Sequence, residues 1–491
     1  MPVAVAASGP VLDAVIVGGG LGGVVMLAEA VQQRFTKILL LERAESLGGL
    51  WARLPAWQTI QNHPLDFCIQ GFTTRKQVWH ARDVLHFIDE YVRVQSLEPF
   101  IRCSHDVVGC AWSDAEGCWV LQVHTGTGSR EEVRCRTLVL CTGRHAEPVV
   151  PTLDTDGSVP MVHSSHFHRW EEARGKNVVV VGGGASALDL CVNVLRSQEK
   201  DDPQGQLEWV VRSPKFFSGS ELCDVWPMTV LQVLLGTTVS TFILNATTNA
   251  HAAVTFWWWG LLSWLPPRRF DLRDTQYVPG RSYLLKNARR IHRHAGVGID
   301  TIRDRTVTLS DGTAIRNTDL ILLGTGYSSP ARPAGVGNLD DLYLKACAAG
   351  EHLGRLFLVG EMLLDTTGAA PAVYHVFSRI FWALVRDGKC LQQLPRLDAE
   401  RSRPSVHLNN MDVIDNVVSL GASNPAWRTV IRRLFPVFTW RIRLCGTFLF
   451  YRLWYRTTVL FADRVLGHAM SLDDAGERGA DHAGADPRPR G

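Results

Sequence analysis

Short apolar runs that stop on glycine recur along this chain. Ala14–Val17 runs into Gly18, Val178–Val181 into Gly182, and Thr318–Leu323 into Gly324. Thr137–Cys141 closes on Gly143, and Leu356–Val359 closes on Gly360. Apolar runs of this length, without strict alternation, predict parallel strands buried on both faces. Lys37–Leu41 and Leu207–Val211 read as further strands, as do Asp106–Val108, Cys118–Val123, Glu132–Cys135, Val297–Arg303 and Thr306–Leu309. Helical patterns lie between them. Over His80–Gln95, residues Val84, Phe87, Ile88 and Tyr91 share one face, and Leu188–Leu195 and Ala372–Leu384 also read as helical. Strand and helix alternating in this way predict an α/β fold.

Two of the strand–glycine junctions carry chemistry. Gly18, Gly20 and Gly23 fall on a G-x-G-x-x-G spacing, and Gly182, Gly184 and Ala187 on G-x-G-x-x-A. In such a loop the first glycine makes the tight turn, the second admits a pyrophosphate against backbone, and the third lets helix pack on strand. The phosphates meet the positive end of the following helix, where Ser186 stands in the second loop. The next strand of each unit ends differently. The first ends in Glu42, which suits a free ribose hydroxyl. The second ends in Arg212, with Lys215 close behind, which suits a 2′-phosphate. The contrast assigns FAD to the first loop and NADPH to the second.

Composition adds mainly exclusions. The 491 residues carry a net charge of +3, which does not point to nucleic acid. Eleven cysteines and 17 histidines form no metal-ligand spacing, so no metal is expected and the thiols read as buried and reduced. Met1–Pro10 lacks the basic, apolar build of a signal peptide, so the expected location is cytoplasmic. Sixteen tryptophans include Trp257, Trp258, Trp259 and Trp264, which end a stretch from Val225 to Pro267 without Asp, Glu, Lys or Arg. That stretch reads as a membrane-contacting or substrate-tunnel insertion, with a buried helical pair and, after it, a membrane-spanning hairpin as the competing readings. The tail interleaves Arg441, Arg443, Arg452 and Arg456 with Trp440, Phe448, Phe450, Trp454 and Tyr455. This pattern suits an amphipathic helix lying peripherally on a membrane or packed on the protein itself, with nucleic-acid binding as the minor competing use of basic–aromatic interleaving.

The expected organisation is therefore two Rossmann-like dinucleotide-binding domains, the NADPH domain inserted in the FAD domain, plus a helical tail. Residues 12–150 begin the FAD domain. Residues 151–327 form the NADPH domain, with the apolar insertion at about 220–270, and 328–400 return to the FAD domain. The helical tail covers 401–470, and 471–491 are rich in Gly, Asp and Pro and read as disordered.

Taken together these motifs resemble class B flavin-dependent monooxygenases, the flavin-containing monooxygenase family. The resemblance rests on Gly18–Gly23, Glu42, Gly48-Gly-Leu-Trp51, Cys141-Thr-Gly143, His163-Ser-Ser-His-Phe167, Gly182–Ala187 and Gly324-Thr-Gly-Tyr327. The family's Phe-x-Gly before the histidine is replaced here by Gly157 and Val159. Arg144–Pro151 and Leu261–Pro266 are similar to the plant YUCCA-type branch. The resemblance implies cofactor contacts at Gly49, Trp51, Gly143, His163, Gly326 and Gly360, and an active-site Asn beside the flavin at Asn62. On the residues alone His163 reads as structural. The implied activity is NADPH- and O2-dependent oxygenation of a small organic substrate through a C4a-(hydro)peroxyflavin, with attack by a nitrogen or sulfur nucleophile expected first. Oxidation of a ketone or α-keto acid, flavin halogenation, or a catalytically silent membrane-attached nucleotide-binding protein are the alternatives. A disulfide reductase is disfavoured, because no cysteine pair stands beside the first loop.

Overall fold

The computed structural model describes residues 9–60, 78–143, 147–198, 205–214, 282–328 and 354–359, with short pieces and single positions between and after them as far as Arg386. Asn62, Lys215, Gly360, most of 225–267 and all of 401–491 lie outside the described residues. Among the described residues no helix is long and apolar enough to cross a membrane.

The first sheet is built on β1 (Leu12–Val17), β2 (Ile38–Leu41), β3 (Ile101–Arg102), β4 (His105–Ser113), β5 (Cys118–Thr125) and β6 (Arg130–Leu140). Its parallel core runs Leu356–Leu358, β6, β1, β2, β3. Val17 pairs with Leu41 on one side and Leu140 on the other, so three strands end level and their loops leave one edge together. Helix α1 (Leu21–Gln32) and helix α2 (Ala81–Val94) cover one face, where Val24, Met26, Phe87, Tyr91 and Trp382 are buried. The antiparallel strands β4 and β5 cover the other, over Val15, Leu121 and Leu138. Burial on both faces is why these strands read as unbroken apolar runs.

Glu132–Cys135 and Thr137–Cys141, which read as two strands, form the single strand β6 and its exit. Its first half alternates and pairs antiparallel with β5, while its second half is wholly buried and pairs parallel with β1. One strand thus carries both periodicities, and a change of period within one strand looks in sequence like a break between two.

The outgoing linker strand β7 (Glu147–Pro148) leads to the second sheet: β8 (Met161–His163), β9 (Val178–Val181), β10 (Leu207–Val211), β11 (Ile291–Ala295) and β12 (Leu320–Leu323). The order is β11–β10–β9–β12–β8, all parallel. Helix α3 (Ala185–Ser197) packs on one face and the hairpin Ile299–Arg303/Thr306–Leu309 on the other. β11 escaped the sequence reading because Ile-His-Arg-His-Ala carries its polar side chains at an edge. The chain returns through β13 (Tyr327–Ser328), which pairs antiparallel with β7, Tyr327 opposite Pro148. The strand Leu356–Leu358 then rejoins the first sheet beside β6. Described positions of the expected Ala372–Leu384 helix are helical, and Trp382 Nε1 donates to Met26 O of α1 at 2.8 Å.

Candidate functional site

The two glycine loops open at the carboxyl ends of their sheets, where ligands of doubly wound folds bind. In the first, Gly18 has φ of +111°, and a Cβ there would lie 2.4 Å from the Cys141 carbonyl oxygen. A Cβ on Gly23 would lie 1.9 Å from the Gly18 carbonyl oxygen, so α1 rests directly on the turn. Opposite stands the second glycine pair: a Cβ on Gly49 would come 3.0 Å from Gly20 Cα, and Gly48 N–H donates to Gly19 O at 2.9 Å. Two stretches of bare backbone therefore face each other across the start of α1. No side chain caps that helix at Gly20, which leaves its first-turn N–H groups to an outside acceptor.

Glu42 is buried at the end of β2 and accepts from Gly19 N–H and, at 2.8 Å, from Ala44 N–H. An ionised carboxylate has about four acceptor sites, so these two bonds leave room for ribose hydroxyls. Trp51 stands in the short turn Gly49–Ala52 with its ring 6.0 Å from Phe67, edge to face. Beyond β6, Thr142 Oγ1 is buried with no hydrogen-bond partner among the described residues, and Gly143 follows at φ of +81° with open space where a Cβ would sit. An orphaned hydroxyl beside bare backbone is what a polar ligand would satisfy. Sequence reasoning passed over Thr142 because its neighbour Gly143 carried the pattern.

The second crevice repeats this build with its parts redistributed. Gly182 has φ of +127°, and a Cβ there would lie 2.2 Å from the Gly324 carbonyl oxygen. The helix position equivalent to Gly23 is Ala187, and the residue opposite it is Gly324, whose own Cβ would lie 2.6 Å from Ala187 Cα. A Cβ on Gly184 would meet nothing within 4 Å, and α3 has no side-chain cap there. Ser186 stands half-buried in its first turn, and Arg212 follows β10 on the surface. Among the described residues no carboxylate pairs with Arg212. The nearby acid of the same strand, Glu208, is engaged by His292 Nδ1 at 2.8 Å and His294 Nε2 at 2.7 Å.

His163 and Gly326 meet in the linker between the sheets. Gly326 O, a carbonyl, can only accept, so His163 Nε2 carries the proton and donates to it at 3.1 Å. Nδ1 then accepts from Ser165 Oγ at 2.8 Å. Gly326 O also accepts Val149 N–H at 2.9 Å, and the Tyr327 ring lies edge-on to His163 at 5.2 Å. Both ring nitrogens are thus spent inside the protein, and the imidazole pins the returning linker to β8. Burial holds the His163 pKa below its ordinary 6.5, outweighing the Gly326 carbonyl, which raises it. The folded state therefore resists protonation of this ring, and unfolding takes up a proton between the folded pKa and 6.5. The stabilisation is complete above 6.5 and is lost as pH falls below it. Chemical denaturation at pH 7.5 and 5 should show the stability gap between the parent and His163→Gln narrowing at pH 5; a constant gap would refute the assignment.

Comparison with known proteins agrees with this architecture. Residues 16–88 match the NAD(P)-binding Rossmann-like domain model, and residues 69–222 the L-lysine 6-monooxygenase/L-ornithine 5-monooxygenase model. The FAD-containing monooxygenase EthA of Mycolicibacterium smegmatis is 26% identical over 221 residues, covering 43% of this chain and 44% of EthA. The indole-3-pyruvate monooxygenase YUCCA4 of Oryza sativa subsp. japonica is 34% identical over 199 residues, covering 36% of this chain and 44% of YUCCA4. The chain thus matches less than half the length of these relatives. In fold it is similar to OTEMO in complex with FAD and NADP, with a TM-score of 0.58 at 15% identity over 78% of this chain and 86% of that one. The chain is similar to flavin-containing monooxygenases in sequence and to two-domain flavin monooxygenases in fold.

Proposed function

We propose that this chain is an FAD-dependent NADPH monooxygenase that places one oxygen atom of O2 on a small organic substrate. The observation that carries the reading is the pair of like-built crevices, one closed by a buried carboxylate at Glu42 and the other by the surface cation Arg212, with which no carboxylate pairs among the described residues. In this reading Gly18, Gly20 and Gly23 hold the FAD pyrophosphate on α1, Glu42 its ribose, and Gly49, Trp51, Gly143 and Gly360 complete its surround. Gly182, Gly184, Ser186 and Ala187 hold the NADPH pyrophosphate, and Arg212 with Lys215 its 2′-phosphate. The facing backbones of Gly20 and Gly49, where Gly49 could not carry a Cβ without strain, and the orphaned Thr142 hydroxyl fit FAD.

Bound flavin would take hydride from the nicotinamide and activate O2, chemistry that no protein side chain supplies. The protein's part is placement and dryness. His163, through Gly326, holds the linker that sets one crevice against the other. Asn62, close in sequence to the first crevice, is proposed to face the flavin.

Nitrogen or sulfur oxygenation of the substrate is the first expectation. The likeness to YUCCA4 favours an α-keto acid as the second, and mass spectrometry of products from amines, thioethers, ketones and α-keto acids separates them. The full-length protein should purify yellow and oxidise NADPH with O2 uptake; a colourless protein that consumes no NADPH would overturn the reading. Arg212→Ala should raise KM for NADPH about tenfold to a hundredfold, the worth of charge-assisted hydrogen bonds, and leave KM for NADH unchanged. Equal use of both nucleotides by the parent protein would refute the 2′-phosphate assignment.

A further inference from the structure

The first glycine of each loop turns its carbonyl inward, and the two units cover that carbonyl differently. In the first unit the backbone of α1 does so: the Gly18 oxygen sits where a Cβ of residue 23 would be. In the second unit Ala187 fills that helix position, and the carbonyl of Gly182 is instead capped by a side chain. Trp209 Nε1 donates to Gly182 O at 2.8 Å. Trp209 lies opposite Val180 in the register, so its indole leans along the strand to reach the loop two residues on. The corresponding residue of the first unit, opposite Ile16, is Leu40, which has no donor.

Two further groups fix that indole. Arg293, opposite Trp209 on β11, stands with its guanidinium carbon 5.3 Å from the centroid of one Trp209 ring and 5.2 Å from that of Trp264. The two indoles meet at 67° with centroids 5.6 Å apart, so the cation is wedged between them. Nε and Nη2 of Arg293 are buried without a hydrogen-bond partner among the described residues, and burial pushes its pKa down to about 10. Its compensation is therefore the π faces of the two tryptophans. Trp264 comes from the end of the apolar stretch 225–267, so a residue of that insertion packs into the support of the glycine turn.

We infer that Arg293 and Trp264 are positioning residues for NADPH, acting through the Trp209 indole on the Gly182 carbonyl and so on the turn that receives the pyrophosphate. This rests on the reading of the second loop as the NADPH site. Neither group belongs to the glycine turn; both stand against the Trp209 indole behind it. Their effect passes through one hydrogen bond, and the loss of a neutral hydrogen bond corresponds to about fivefold in a dissociation constant.

The test is a double-mutant cycle on the full-length protein loaded with FAD, read as the dissociation constant for NADP⁺ by calorimetry. Trp209→Phe keeps a ring and removes the donor; Arg293→Met keeps the length and removes the cation. Each should weaken NADP⁺ about fivefold, leaving FAD content and the flavin spectrum unchanged. The double variant should be little worse than either single, because both act on the same bond. Trp264→Ala should fall in the same group, and Arg293→Lys, which keeps a cation, should recover part of the loss. If Arg293→Met fails to fold, Arg293→Lys and Trp209→Phe carry the cycle. Single variants that bind NADP⁺ like the parent would overturn the inference alone, as would fully additive losses. A parent protein that holds FAD but does not bind NADP⁺ would overturn the reading of the second loop and the inference with it.

Discussion

Gly23→Ala should yield a protein without flavin. Its new methyl carbon would lie 1.9 Å from the Gly18 carbonyl oxygen, a backbone atom at the end of a buried strand with no room to give. Relief requires α1 to shift away from β1 by more than an ångström. The shift carries off the first-turn N–H groups that face the proposed pyrophosphate and opens the contact of Val24 and Met26 with the sheet. Overpacking of this kind costs about 1–3 kcal/mol even where neighbours can adjust. Here the strain falls on the binding loop itself. The expected result is loss of the 450 nm absorbance at an unchanged far-ultraviolet circular dichroism spectrum, or failure to accumulate soluble protein. A yellow, stable Gly23→Ala protein would show that α1 does not rest on the loop as described.

Gly324→Ala should do the converse, leaving the protein yellow but unable to use NADPH. A Cβ there would stand 2.6 Å from Ala187 Cα, so the second strand–helix contact is displaced while the first crevice is untouched. Ala187→Gly offers no rescue, because the Cα itself is within the clash distance. The measurements are FAD content, expected near one per chain, and reduction by NADPH under anaerobic conditions, expected to fall at least a hundredfold at subsaturating nucleotide. Reduction at the parent rate would refute the equivalence of the two crevices.

These two substitutions also mark where the sequence was legible. Strands buried on both faces announce themselves as apolar runs, and glycine spacing reports turns that need positive φ, so both crevices and the α/β class could be read from the residues. The Glu42–Arg212 contrast was equally visible, since a strand-end residue is reached by counting. Contacts between distant segments were not. The resemblance points to Gly326 of this motif as a cofactor contact, yet it is Gly324 that meets α3, while Gly326 accepts from His163. Nothing local says that the small residue of a helix–strand pair sits on the helix in one unit and on the strand in the other. β11 lacked an apolar run because it is an edge. Arg293 and Trp209 became a pair only through the parallel register of β10 and β11.

The linker pairing has a practical side. Pro148 and Tyr327 are cross-strand neighbours, so the chain leaves the first unit and comes back at points one strand spacing apart. The ends of that two-stranded ribbon lie within reach of a two-residue turn, while Trp57 of the first unit makes a separate contact with the second, its Nε1 donating to Phe167 O at 2.6 Å. In engineering terms the adjacent ends should let the second unit be replaced by a hairpin turn without stretching the first sheet, provided that Trp57, whose indole packs on Phe167, is exchanged for a polar residue at the same time.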